Sequence, residues 1–188
     1  RRPPRSTLFP YTTLFRSKKL LHQMEKESQK INPSEMKKVL LLHKSNATQL
    51  RVVRGFRDAL IGKTNGTVDV EYFVNIANEK EIPRSRAWLN ELNNVVLFCL
   101  TSEAIEDFHK IIRENRFADE NGILHVKLFT VTFGEKVISG WPPKGMKSAS
   151  TDLRDFYFGF PDVENIRPQD FKSSLRLNSL IAAIKLTR

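Results

Sequence analysis

The chain has 188 residues, 40% of them hydrophobic, a formal net charge of +10 and one cysteine. A lone cysteine excludes a disulfide framework, and no stretch approaches the ~20 consecutive apolar residues of a membrane-spanning helix. The positive balance could suit nucleic acid, anionic lipid or an acidic protein. Its lysines and arginines are mixed with Glu and Asp throughout, so it reads as ordinary surface with a modest basic bias.

Residues 1–17, RRPPRSTLFPYTTLFRS, read as a translated sequencing-library adapter, with TLFPYTTLFRS following the primer end codon by codon. The stretch lacks the continuous apolar core of a signal peptide. Setting aside Arg1, Arg2, Arg5 and Arg16 lowers the net charge from +10 to +6. About 170 residues are left, enough for one domain. The gene product is then expected to extend upstream of Lys18, and any membrane-spanning segment would lie there. Residues 18–36 are polar and charged, a linker or juxtamembrane arm with a turn at Asn32-Pro33-Ser34.

Strand-length apolar runs at Val39–Leu42, Val95–Leu100 and Val126–Phe133 set the architecture. Such runs alternating with amphipathic helices predict a parallel sheet covered on both faces. The first strand is predicted over Lys38–Leu42. A helix follows Ser45-Asn46, with Leu50, Val53, Phe56 and Leu60 as its apolar stripe, Arg54 and Asp58 as an i,i+4 pair, and its end at Gly62. Val68–Val74 alternates charged and apolar residues as an edge strand does. A helix or loop spans Glu79–Asn93 and carries Ile82, Trp88 and Leu92. Val95–Leu100, the most hydrophobic strand, should be central. Ser102–Arg116 is a helix with Ile105, Phe108 and Ile112 inward, and Val126–Phe133 is the next strand. Trp141-Pro142-Pro143 cannot be regular structure. Phe156–Phe160 is a last aromatic strand or extended segment, and Leu175–Leu186 a closing helix with Leu177, Leu180, Ile181 and Ile184 on one face. Residues 37–145 form the predicted core, and 146–188 a C-terminal extension packing on it.

Catalytic motifs are sparse. GxGxxG, P-loop, GxSxG and HExxH patterns are all missing, and His22, His43, His109 and His125 are too scattered for metal-ligand spacing. No metal, cofactor or catalytic residue is expected. His43 could stand at a strand end, but a structural histidine is the simpler reading. A Cys99–His nucleophile pair would need Cys99 exposed, whereas it sits inside an apolar run and reads as a buried thiol. Glu103 and Glu106 follow the central strand and read most simply as a solvated helix face.

Four segments in order resemble the SEFIR branch of the TIR-like fold, shared by interleukin-17 receptors and their cytoplasmic adaptor. The first is KKVLLLHKSNATQLRVVRGFRDALI, in which Val52, Val53, Phe56 and Leu60 match the family's VV-x-x-F-x-x-x-L helix. GTVDVEYF stands where the family has a G-x-x-V-x-x-D strand, with Asp69 or Glu71 at the acidic position. Trp88 followed by NNVVLFCLTS is similar to its tryptophan helix and Ser-terminated strand. DFYFGFPDVENIRPQDF resembles an aromatic strand, acidic pair and proline found in the receptors, through Phe156, Tyr157, Phe158, Asp162, Glu164 and Pro168.

The resemblance covers about residues 37–184 and implies a small flavodoxin-like or TIR-like α/β domain, an open parallel sheet with helices on both faces. It also implies a signalling domain on the cytoplasmic side of the plasma membrane that binds an adaptor's SEFIR domain, and other receptor SEFIR domains, homotypically. Nucleic acid is not an expected partner. Interaction candidates are Arg84, Arg86 and Trp88 after the edge strand, and Glu103, Glu106 and His109 after the central one. Trp88 is read as core in preference to contact. The alternative is a TIR-type NAD glycohydrolase, with Glu103 or Glu106 as the available carboxylate in a cleft. Against it, Phe108 stands roughly where such enzymes carry tryptophan, and Ile111 where their catalytic Glu should be.

Overall fold

A computed structural model describes residues 36–78, 82, 85–134, 140–148, 155–160, 162 and 165–187. The adapter-like run and residues 18–35 of the polar arm lie outside these residues. Five parallel strands, β1 (Lys37–His43), β2 (Val68–Asn75), β3 (Asn94–Cys99), β4 (Leu128–Phe133) and β5 (Asp155–Phe158), form one sheet in the order β2-β1-β3-β4-β5. The predicted edge strand is at the edge and the predicted central strand is central. This is the flavodoxin-like α/β architecture.

Every residue of β3 is buried, because both faces of the sheet are covered. Side chains alternate between them. Val39, Leu41, Val95 and Leu97 enter a core closed by α1 (Ala47–Lys63), α4 (Pro168–Lys172) and α5 (Leu175–Leu186). Leu40, Leu42, Val96 and Phe98 enter a second core under α2 (Ser85–Trp88) and α3 (Ile105–Asn115).

Helix α1 starts where its sequence can satisfy free backbone donors. Asn46 Oδ1 accepts from the Gln49 amide at 2.9 Å, and Gln49 Oε1 accepts from the Asn46 amide at 3.1 Å. The helix runs one residue past Gly62, to Lys63, since Thr64 Oγ1 donates back to the Leu60 carbonyl at 2.9 Å. Its buried stripe includes Val52 and Ala59, while Leu50 is only half-buried. The predicted Arg54–Asp58 pair does not form. Asp58 instead pairs with Arg57 Nε at 3.0 Å, the Arg57 guanidinium being held over the Phe73 ring 4.6 Å away.

Other boundaries differ from the sequence expectation as well, β5 ending at Phe158 where the aromatic segment was expected to reach Phe160. In the segment after β2, the described helix is only α2, and Leu92 is 70% exposed. Strand β4 begins at Leu128, leaving Val126 exposed, because a turn precedes it. There the Leu128 amide donates to the His125 carbonyl, and the buried Lys127 Nζ donates to the Leu89 and Glu91 carbonyls, both at 3.1 Å. Burial lowers the Lys127 pKa. The helix expected over Ser102–Arg116 opens as a 3-10 turn at Ser102–Ala104, continues as α3, and ends at Arg116 in the left-handed conformation.

The C-terminal residues supply part of the main core. Strand β5 pairs with β4, and Phe156, Phe158, Phe171, Leu177, Leu180 and Ile184 share the cluster of α1. Helix α5 matches its expected span, although Ile181 is half-buried. The short α4 was not foreseen. Its Phe171 is fully buried against Phe56, Phe133, Phe158 and Phe160.

Residues 140–148 form a strap over the α3 side, tied to the chain at Gly122. The Lys147 amide donates to the Gly122 carbonyl at 2.9 Å, and the Leu124 amide donates to the Lys147 carbonyl at 2.8 Å. Gly122 has φ +76°, and a Cβ there would lie 2.2 Å from the Gly145 carbonyl oxygen. Gly122→Ala therefore combines left-handed strain with a backbone clash. It is expected to cost about 2 kcal/mol in chemical unfolding. An unchanged denaturation midpoint would mean the strap is not fastened there.

Candidate functional site

Strand order in an open parallel sheet decides where loops can form a crevice. Here the connections reverse direction between β1 and β3, so the loops after His43 and Cys99 stand side by side. His43 and Cys99 are direct cross-strand partners in the parallel register. Their sequence separation hid this pairing.

Neither residue is free to do chemistry with solvent. Cys99 is 2% exposed, and burial pushes its thiol pKa up, away from the nucleophilic thiolate. His43 is 1% exposed, lies 4.5 Å from the Phe73 ring and is 2.9 Å from Ser45 Oγ through Nδ1. Its Nε2 is buried without a partner. Burial first, then the nearby Arg54 and Arg57 charges, lower its pKa to about 4. The ring is therefore neutral near pH 7. With Nδ1–H donating to Ser45 Oγ, only a bare lone pair is left at Nε2, a smaller cost than a buried unpaired N–H.

The two loops are linked across the switch point. Lys44 Nζ donates to Asp107 Oδ2 of α3 at 2.8 Å, and this bond is the main reason the Lys44 pKa is raised. Asn75 Nδ2 donates to the Ser45 carbonyl at 3.4 Å, and the Ile76 amide to the His43 carbonyl at 2.8 Å. Thr101 Oγ1 is buried without a partner at the start of the 3-10 turn. The edge is thus closed over by a neutralised ion pair, and it presents helix surface to solvent. Such a partly exposed pair adds little stability, but it fixes α3 relative to the β1 loop.

The sequence candidates separate by environment. Arg84 and the Arg86 side chain lie outside the described residues. Trp88 is core, 3% exposed, with Nε1 donating to the Val95 carbonyl at 2.8 Å and its ring edge-on to Tyr72. It offers nothing to a partner. Glu103, in the 3-10 turn, and Glu106, in the first turn of α3, are both exposed. His109 is half-buried, with Nε2 3.2 Å from the Gly140 carbonyl, so it joins α3 to the strap. Ile111, which the resemblance sets against the enzymes' glutamate, is buried in the second core.

An open surface depression of about 660 Å³ is lined by Arg116, Ala118, Asp119, Glu120 and Asn121, and neither Glu103 nor Glu106 lines it. Among the described residues no cluster of His, Cys, Asp and Glu could hold a metal ion, and no helix is long and apolar enough to cross a membrane. In comparisons with known proteins, no family model, curated protein or solved structure matches this chain.

Proposed function

We propose that this chain carries a SEFIR-type cytoplasmic signalling domain of an interleukin-17-receptor-like protein, which recruits an adaptor by homotypic SEFIR–SEFIR association. The carrying observation is the exposed start of α3. Glu106 and, from the 3-10 turn leading into it, Glu103 project beside a helix anchored by Lys44–Asp107 on one side and His109–Gly140 on the other. A held, charged helix surface beside the switch point suits binding, with little conformational entropy lost on docking. The four-segment resemblance supplies the kind of partner. NAD cleavage has less support, because both carboxylates are exposed and Ile111 fills the glutamate position.

Residues 18–188 are expected to capture the adaptor's SEFIR domain in a pull-down. Glu103→Lys with Glu106→Lys should weaken capture at least tenfold, since reversed charges across a docked surface cost several kcal/mol. Arg84→Glu with Arg86→Glu tests the segment after the edge strand in the same way. No capture by folded wild type would sink the reading, and NAD cleavage lost in Glu103→Ala or Glu106→Ala would replace it.

A further inference from the structure

Charges that are dispersed along the sequence are gathered by the fold onto one side of the sheet. Helices α1, α4 and α5 cover the same core, and their surface carries Arg51, Arg54, Lys63, Lys172, Arg176 and Lys185. None of these six has a carboxylate partner among the described residues. Asp58 and Asp170 are the acidic residues of these helices, and both are already paired, with Arg57 and Arg167. On the other side of the sheet, α3 mixes Glu106, Asp107 and Glu114 with Lys110 and Arg113.

Helix α5 adds a second, independent feature. Its inner stripe, Leu177, Leu180 and Ile184, is buried, yet its outer surface carries Leu175 and Leu186, 81% and 82% exposed. Eleven residues apart, these leucines point within about 20° of one another, about 16 Å apart along the axis. Ala182 and Ser179 lie between them, and Arg176 and Lys185 flank the line. The helix contains no acidic residue.

We propose that the α1–α4–α5 face rests on an anionic lipid surface, with Leu175 and Leu186 at headgroup depth and the six cations on lipid phosphate and carboxylate groups. An interfacial helix has this pattern, an outward apolar line between basic residues, and juxtamembrane cations gain from an anionic leaflet. A nucleic acid or protein partner fits less well. Among the described residues no aromatic side chain is exposed, whereas single-strand binding needs stacking platforms and protein hot spots favour Trp and Tyr. This inference stands apart from adaptor binding, which is placed at α3.

The test is flotation of the full chain with phosphatidylcholine vesicles, with and without phosphatidylserine, at physiological salt. Wild type is expected to float only with phosphatidylserine present. Arg176→Glu with Lys185→Glu, and Arg51→Glu with Arg54→Glu, should each lower binding at least tenfold. Lys110→Glu with Arg113→Glu, the same charge change on α3, should lower it far less. Leu175→Ser with Leu186→Ser should weaken binding several-fold without changing charge. Unchanged thermal midpoints confirm folding of each variant. Binding that persists in the α1 and α5 reversals, or falls equally in the α3 reversal, would overturn the proposal. Leucine variants that bind like wild type would show recognition of charge alone, and the membrane assignment would fail.

Discussion

Phe171→Ala is expected to destabilise the fold by about 3–5 kcal/mol, the range for removing a fully buried phenylalanine. The ring sits in a five-residue helix whose own hydrogen bonds could not hold it in place. Four aromatic rings hold it instead, those of Phe160, Phe133, Phe56 and Phe158, with centroids 5.2, 5.5, 5.6 and 5.7 Å away and steep interplanar angles. Edge-to-face pairs of this kind add to the area term, which places the loss toward the upper end. The cavity would open between α1 and the carboxyl ends of β4 and β5, and Gly55 against Pro168 would lose its backing. Urea unfolding at neutral pH measures the effect. Phe171→Leu should retain more than half of the stabilisation, because it keeps most of the volume. A loss below about 1.5 kcal/mol for alanine would mean that residues 168–172 do not plug the core.

Acid should destabilise the wild type through His43. Its folded-state pKa, about 4, lies below the ~6.5 of an unfolded histidine. Between these values the unfolded chain binds a proton that the folded chain refuses, so stability falls as pH falls through this window. At ~1.4 kcal/mol per unit, the full loss is about 3 kcal/mol, complete near pH 4 and absent above about pH 7. The refusal has a structural cause. A charged ring would lose its solvation at 1% exposure and would face Arg54 and Arg57, with Phe73 against its side. His43→Leu should remove this slope and leave stability near pH 7 almost unchanged, since the unpartnered Nε2 goes with the ring. Unfolding curves for both proteins from pH 7.5 to 4 isolate the term, because carboxylate titrations are common to them. Parallel curves would mean that His43 is solvated.

The alternation of apolar runs and helical stripes was enough to read the parallel sheet, the edge position of Val68–Asn75, the central position of Asn94–Cys99 and the span of Leu175–Leu186. These are decided by local periodicity, and local periodicity is written in order along the chain. Trp88 as core was legible because one aromatic per helix is ordinary packing. Helix α4 was not, because five residues carry less than two helical turns and Phe171 is the one buried residue among them. Val126 and Leu92 misled because an apolar residue beside a strand can still lie outside the ladder.

What tertiary structure alone decided is which side chains of distant segments meet. The register that sets His43 opposite Cys99, the Lys44–Asp107 bond across 63 positions, and the buried Lys127 under the Leu89 and Glu91 carbonyls leave no periodic trace in sequence. The same holds for charge. Arg51, Lys172 and Arg176 look scattered in a list of residues, and only the layering of α1, α4 and α5 on one side of the sheet makes them one basic face. Hydrophobic pattern commits each segment to a face of the sheet through side-chain spacing of two or 3.6 residues. Which polar groups then meet depends on strand order and crossover, which spacing does not encode.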